Sequence, residues 1–289
     1  YYGVRVFKIE RQSTGFLLHT NQKNFAGNAV IVAAGSKAAP KTGSNGTGYQ
    51  LLSDLGLSYE EPLPALTPLI SSSVYCKALM GVRTEAVVTL YINKRFIAKE
   101  TGELQLTDYG ISGIPVFQIS HLAAQALQKS HSEEVLADFL PMFGKKQMEN
   151  KLTELKGKYG KRTVAECLDG FLNQKLVQVI MKASRIKNNV LMSSLKEEEI
   201  KVLCYAMKNF HFPIMDTMGF DKAQTCCGGI YLSQLNPETM ETLAIPELYV
   251  TGEILNMNGK CGGYNLQWAW ATGYLAGIAA RKRKKGNEE

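Results

Sequence analysis

Pro246 to Gly277 reads PELYVTGEILNMNGKCGGYNLQWAWATGYLAG, and its three parts decide the fold class. Leu248-Tyr249-Val250-Thr251 is apolar and of strand length. Gly252-Glu253 and then Asn258-Gly259-Lys260-Cys261-Gly262-Gly263 form a glycine-rich loop. From about Gly263 the residues run on without a proline, which predicts a final helix. A strand, a glycine loop and a helix N-terminus in that order make a cradle for an anion. Backbone N–H groups and the helix dipole then point at the ligand. A tight turn beneath a packed helix has the same spacing, so layout alone leaves both readings open.

A second strand–loop–helix lies near the other end of the chain. Asn28 to Ala34, NAVIVAA, is a continuous apolar run that suits a strand buried on both faces. It ends at Gly35, a loop runs from Ser36 to Gly48, and a short helix is expected over Tyr49–Leu55, closed by Gly56. Before it, Val4–Glu10 and Gly15–Thr20 alternate around a polar turn and predict a hairpin. Pro62, Pro64 and Pro68 then mark a boundary.

Beyond that boundary the pattern changes. Leu69 to Ile119 is strand-like, with a hairpin turned at Asn93-Lys94 and short strands at Leu104–Thr107 and Val116–Ile119. Helices follow over His121–Lys129, Lys145–Tyr159, Thr163–Leu172 and Leu176–Ala183. A capping box at Ser194-x-x-Glu197 opens another that runs to about Asn209. From Phe212 strands and loops return. The order describes a core domain interrupted by a long insertion.

Composition excludes several classes. The chain has 289 residues, 45% hydrophobic and 20% charged, close to a globular average. Its formal charge of +7 is concentrated partly in the closing RKRKKGNEE, so the body is too weakly basic to argue for nucleic acid by charge alone. Gly262–Ala280 is apolar but carries Asn265, Gln267 and four glycines, too polar for a membrane span. The six cysteines contain no C-x-x-C, so reduced structural thiols and a cytoplasmic setting are expected. The four histidines are scattered and no metal site is expected; His121 is expected to pack or cap at a helix start. G-x-G-x-x-G, the P-loop and G-x-S-x-G are all absent. A start at Tyr1 in what reads as a strand suggests a fragment of a longer protein.

Four segments in order now carry a resemblance. Pro246–Gly277 resembles the closing motif of the HI0933-like (YhiN/BaiN-type, aminoacetone oxidase-like) FAD-dependent flavoproteins. Ala29–Gly48 resembles that family's strand with its A-[AT]-G-G…P…G-S-x-G-x-G-Y loop. Pro64–Leu69 resembles its P-A-L-V-P-L. Gly102–Ser120 resembles its G-E-L-L-F-T-H-x-G-x-S-G-P segment, with Asp108 where many members have His and Ile114-Pro115 where they have Gly-Pro.

The resemblance implies an α/β fold. It would be a Rossmann-like FAD-binding domain, incomplete because the N-terminal βαβ with G-x-G-x-x-G is missing, interrupted by an inserted β-barrel and helical domain. Residues 1–65 and 225–289 would form the FAD-binding part and 66–224 the insert. It also implies FAD as cofactor, NAD(P)H as a reductant, and a small-molecule substrate. Val6 would lie beside the adenine, with Ala34 and Gly35 close to the dinucleotide. Gly252 and Glu253 would meet the ribityl chain or a phosphate-bound water. Gly263, Tyr264, Asn265 and Leu266 would sit at the isoalloxazine edge, and Asn258 would be a further cofactor contact. For Tyr264 core packing is an equal alternative; Cys261 reads as a packed thiol. No catalytic acid or base is assigned.

The competing reading is a binding module. The helical stretch Lys145–Asn209 and the RKRKK tail are basic and could contact RNA or another macromolecule. Against this, aromatics do not interleave with the charges as single-strand binders require. A flavin-bearing structural protein is a third possibility.

Overall fold

The computed structural model describes residues 1–286, with side chains to Arg281. The chain divides into two compact units, one of residues 1–66 and 219–289, the other of residues 67–218.

The first unit opens with β1 (Val6–Arg11), β2 (Phe16–Thr20) and β3 (Phe25–Gly27), an antiparallel three-stranded sheet. Then come β4 (Val30–Val32), α1 (Thr47–Ser53) and β5 (Tyr59–Ala65). The expected strand over Asn28–Ala34 is shorter than the apolar run and is not buried on both faces. Val32 is buried, but Ile31, Ala33 and Ala34 are exposed. Apolar composition was read as burial there, whereas the small residues continue into the loop.

The second unit contains β6 (Leu69–Ser71), α2 (Cys76–Leu79), β7 (Arg83–Ile92), β8 (Arg95–Leu106), β9 (Gly110–Ser112), α3 (Ile114–Gln128) and β10 (Glu133–Asp138). It continues with α4 (Lys145–Lys158), α5 (Val164–Leu168), α6 (Gln174–Ala183), α7 (Glu197–Lys208) and β11 (Phe210–Thr217). Six strands close into an antiparallel barrel in the order β10-β11-β6-β9-β8-β7. Asn93 and Lys94 turn the β7–β8 hairpin with φ of 49° and 63°, the left-handed pair that matches strand twist.

Three expectations are corrected here. Val116–Ile119 is helical, because Pro115 lies in the first turn of α3, where its missing N–H costs nothing. His121 therefore lies within a helix, not at its start, and burial holds its pKa below the usual value. The Ser194/Glu197 box does not form; Glu199 caps α7 instead, accepting from the Lys196 amide at 2.8 Å. Thr163 and Glu166 form the real box, at α5.

The chain closes with β12 (Thr225–Ile230), antiparallel to β5, then β13 (Leu248–Val250) and α8 (Tyr264–Gly286). β13 runs parallel to β4, pairing Leu248 with Val30 and Val250 with Val32. Val32, Leu52, Ile230, Val250, Ile254 and Ala276 belong to one core cluster that ties α1, the strands and α8 together. Among the described residues no helix is long and apolar enough to cross a membrane. Cys76, Cys167, Cys204, Cys226 and Cys227 are buried and make no disulfide.

Candidate functional site

The parallel pairing of β4 with β13 sets the site. It ends both strands side by side, with the Thr251 amide still donating to Val32 O at 3.0 Å. Ala33-Ala34-Gly35 therefore leaves one strand beside Gly252-Glu253 leaving the other. Gly35 and Gly252 take φ of 72° and 78°, which lets each chain turn sharply where a side chain would be strained. A Cβ on Gly35 would also meet Ser44 Oγ at 2.8 Å.

Side chains then lock the two loops. Ser36 is buried, and its hydroxyl donates to Glu253 Oε2 at 3.4 Å while accepting from the Ala38 amide at 3.2 Å. Ser44 Oγ donates to Ala34 O at 2.9 Å and also to Ser36 O. Burial raises the Glu253 pKa, and the Ser36 hydrogen bond opposes that rise. The carboxyl is thus half-buried and held by one hydroxyl. Burial likewise raises the Tyr49 phenol and the Cys226 thiol nearby.

Helix α8 is fastened to the same turn. The Gly252 amide donates to Thr272 Oγ1 at 3.0 Å, and Trp268 Nε1 donates to Gly252 O at 3.2 Å. Asn265 closes the preceding loop by accepting from the Gly259 amide at 2.7 Å and donating to Gly259 O at 3.1 Å. The first i→i−4 bond of the helix is Gln267 N to Gly263 O at 3.0 Å. The amides of Tyr264, Asn265 and Leu266 precede it and belong to the helix's electropositive end.

That end is open. Gly262, Gly263, Tyr264 and Leu266 are exposed, and a Cβ added to Gly263 would meet nothing within 4 Å. Tyr264 is 64% exposed, so core packing, one of its two readings, is excluded. Ala34, Gly35, Gly252, Glu253, Asn265 and the α8 N-terminus are thus tied into one place by β4–β13 and the hydrogen bonds above. Asn258 is half-buried in the loop that Asn265 closes. Val6 stands apart in the three-stranded sheet, half-buried against the same core cluster. Ser36, Ser44 and Thr272 were missed as site residues. Nothing in their spacing marks them, and only the fold brings them to Glu253 and Gly252.

Residues 1–279 fit the family model described as the HI0933-like protein Rossmann domain. The chain belongs to the HI0933-like family. Within it, the chain is 41% identical to a 3-dehydro-bile acid delta(4,6)-reductase of Clostridium scindens, over 98% of this chain and 69% of that protein. It is 27% identical to a ribosomal RNA dihydrouridine synthase of Haemophilus influenzae, over 96% of this chain and 67% of the relative. The dihydrouridine synthase of Escherichia coli is 26% identical, over 93% and 64%. The chain spans about two thirds of the length of these relatives.

The basic insert also looks different in three dimensions. Tyr159 does lie among cations, with Lys158 Nζ 5.3 Å and Arg162 Cζ 5.4 Å from its ring centroid. The expectation that no aromatic interleaves with the charges fails at this residue. In the RKRKK tail, the side chains from Lys282 to Lys285 lie outside the described residues.

Proposed function

We propose that the chain carries the flavin-facing part of an FAD-dependent reductase, with residues 67–218 as a domain inserted into it. The observation that carries this reading is the open N-terminus of α8, a helix that Trp268 and Thr272 fasten to the Gly252-Glu253 turn. A bound flavin would supply hydride-transfer chemistry, which the protein orients and polarises. The residues present fit such a group: exposed glycines leave room at Gly262 and Gly263, and the first amides of α8 form its electropositive end. In this reading Tyr264, Asn265 and Leu266 offer their amides to the electron-rich edge of the ring, stabilising negative charge there. Glu253, oriented by Ser36, takes a ribityl hydroxyl. Ala34 and Gly35 let the main chain approach the dinucleotide. Asn258 shapes the loop, and Val6 serves the adenine end. NAD(P)H is the proposed source of electrons.

The names of the relatives support a common reaction class. One reduces double bonds in a 3-dehydro bile acid, and two turn uridine into dihydrouridine. In each substrate the double bond is conjugated to a carbonyl, which makes its far carbon electrophilic. The proposed substrate class is a carbon–carbon double bond so conjugated, in a small molecule or in a uracil ring.

Titrating the chain with FAD and with FMN, read by flavin fluorescence, tests the site. Each flavin should bind only weakly, since the chain has no G-x-G-x-x-G cradle for the pyrophosphate, and Glu253→Ala should weaken each further by about tenfold or more, as loss of a hydrogen bond to a charged group does. Failure of both flavins to bind would overturn the reading.

A further inference from the structure

A cavity of about 600 Å³ lies wholly within the unit of residues 67–218, inside the range of roughly 300–1,000 Å³ usual for small-ligand sites. One wall is the end of α3, where Leu122, Gln125, Ala126 and Lys129 lie on one helical face. The other is the β7–β8 hairpin, with Ile92, Arg95 and Ile97. Ile92 and Arg95 are direct cross-strand partners, so their side chains share a face of the sheet. Ile97 is the extra residue of a bulge, since Tyr91 pairs with Phe96 and Leu90 with Ala98. A bulge re-aims a side chain, and this one turns Ile97 to the cavity. The hairpin turn is pinned. The Asn93 amide donates to Ser132 O at 2.9 Å, and Asn93 Oδ1 accepts from the Ser132 amide and hydroxyl at 3.2 Å each.

The lining is apolar at Ile92, Ile97, Leu122 and Ala126 and cationic at Arg95 and Lys129. His131 adds a further polar edge, and no acidic side chain among the described residues lines the cavity. Arg95 and Lys129 are exposed and, among the described residues, have no carboxylate partner, whereas Arg83 on β7 pairs with Glu103 at 3.4 Å. Glu133, the partner of Ile92 in β10, is buried. Burial pushes its pKa up to about 8, so below that pH it is mostly uncharged and does not oppose an anion.

We infer that this cavity binds an aliphatic carboxylate, its chain on Ile92, Ile97, Leu122 and Ala126 and its oxygens on Arg95 and Lys129. A guanidinium presents parallel N–H donors that match the two oxygens of a carboxylate. The apolar wall alone would take any hydrophobe and the cations alone any anion; together they select a molecule that has both parts. Long cationic side chains also cover apolar surface with no ligand present, keeping their heads in water. Here the two cations come from different elements, a strand and a helix end, and line one cavity. The site makes the insert a ligand-binding domain in its own right and stands independently of the flavin reading.

Equilibrium dialysis of radiolabelled octanoate against the full chain, with octanol and acetate as competitors, tests this. Octanoate should bind saturably. Octanol, with the same chain and no charge, should compete about tenfold more weakly, as loss of a hydrogen bond to a charged group does. Acetate, with the charge and almost no chain, should compete about a hundredfold more weakly or worse. The double variant R95A/K129A should weaken octanoate by about tenfold or more and leave the affinity for octanol unchanged. Ile97→Asp, which sets a like charge on the wall, should abolish octanoate binding. Circular dichroism should be unchanged in both variants, since all three residues are exposed. Unchanged octanoate affinity in the double variant would overturn the proposal. So would octanol competing as well as octanoate, which would mark plain apolar surface, or acetate doing so, which would mark a small-anion site. The dialysis contains no flavin, so its failure leaves the flavin reading intact, and failed flavin uptake leaves this one intact.

Discussion

In the unit of residues 67–218 every barrel strand has two neighbours, whereas in the other unit none of the three sheets closes. The barrel unit buries one large cluster that spans strands and helices, and it too leaves large apolar side chains exposed, among them Val74, Phe96, Ile114, Met142 and Met215. The other unit buries a smaller cluster and leaves Ile31, Tyr264, Leu266, Trp270, Tyr274 and Ile278 exposed. Closure removes edges, and with them the need for outside partners. A two-stranded parallel pair is different, because parallel sheets are normally covered on both faces. The contrast teaches where strand edges remain: one unit closes them by pairing, and the other carries its candidate site on loops and an open helix end.

Three substitutions would break or sharpen that contrast. The largest effect is expected from Phe212→Ala, at a fully buried barrel position. Urea unfolding should show a loss of about 3–5 kcal/mol, confined to the transition of the barrel unit. A loss shared equally by both units would mean that they do not unfold separately.

Next comes Glu133, buried at the start of β10 with no hydrogen-bond partner for either carboxylate oxygen. Burial pushes its pKa up to about 8. The folded value lies above the unfolded one, so its stabilising contribution is full below the usual carboxylate range and is lost as pH rises through about 8. Glu133→Gln should remove that decline. Melting curves from pH 5 to 9 should show the variant gaining on the parent as pH rises, and parallel curves would refute the assignment.

The smallest effect is expected at Trp270, 68% exposed on α8. Trp270→Ser should change stability by no more than about 0.5 kcal/mol, as exposed positions do. A loss well above that would show that the α8 face is covered in solution.

Much of the fold was legible because period and punctuation agree with the tertiary structure. The β7–β8 hairpin announced itself through Asn93-Lys94, and α4 through its 3–4 spacing. Where local and long-range forces compete, the sequence misled. Val116–Ile119 has strand-like residues, yet Gly113 and Pro115 start a helix there. In the candidate site the glycines were legible, since positive φ demands them. Ser36 and Thr272 were not, since their roles arise only when the loops after β4 and β13 meet α8. Tyr159 was legible among its cations, since Lys158 precedes it directly and Arg162 lies three residues on.

The register of Val30 with Leu248 joins residues separated by roughly two hundred positions, and it has a consequence during synthesis. At roughly 5–20 residues per second, a ribosome needs on the order of ten seconds or more to deliver the second strand after the first. Thr217, the last residue of the barrel, emerges before any of β12 or β13. The barrel can therefore finish while Val30–Val32 still waits for its mate, so the early segment spends that interval as unpaired, aggregation-prone nascent chain.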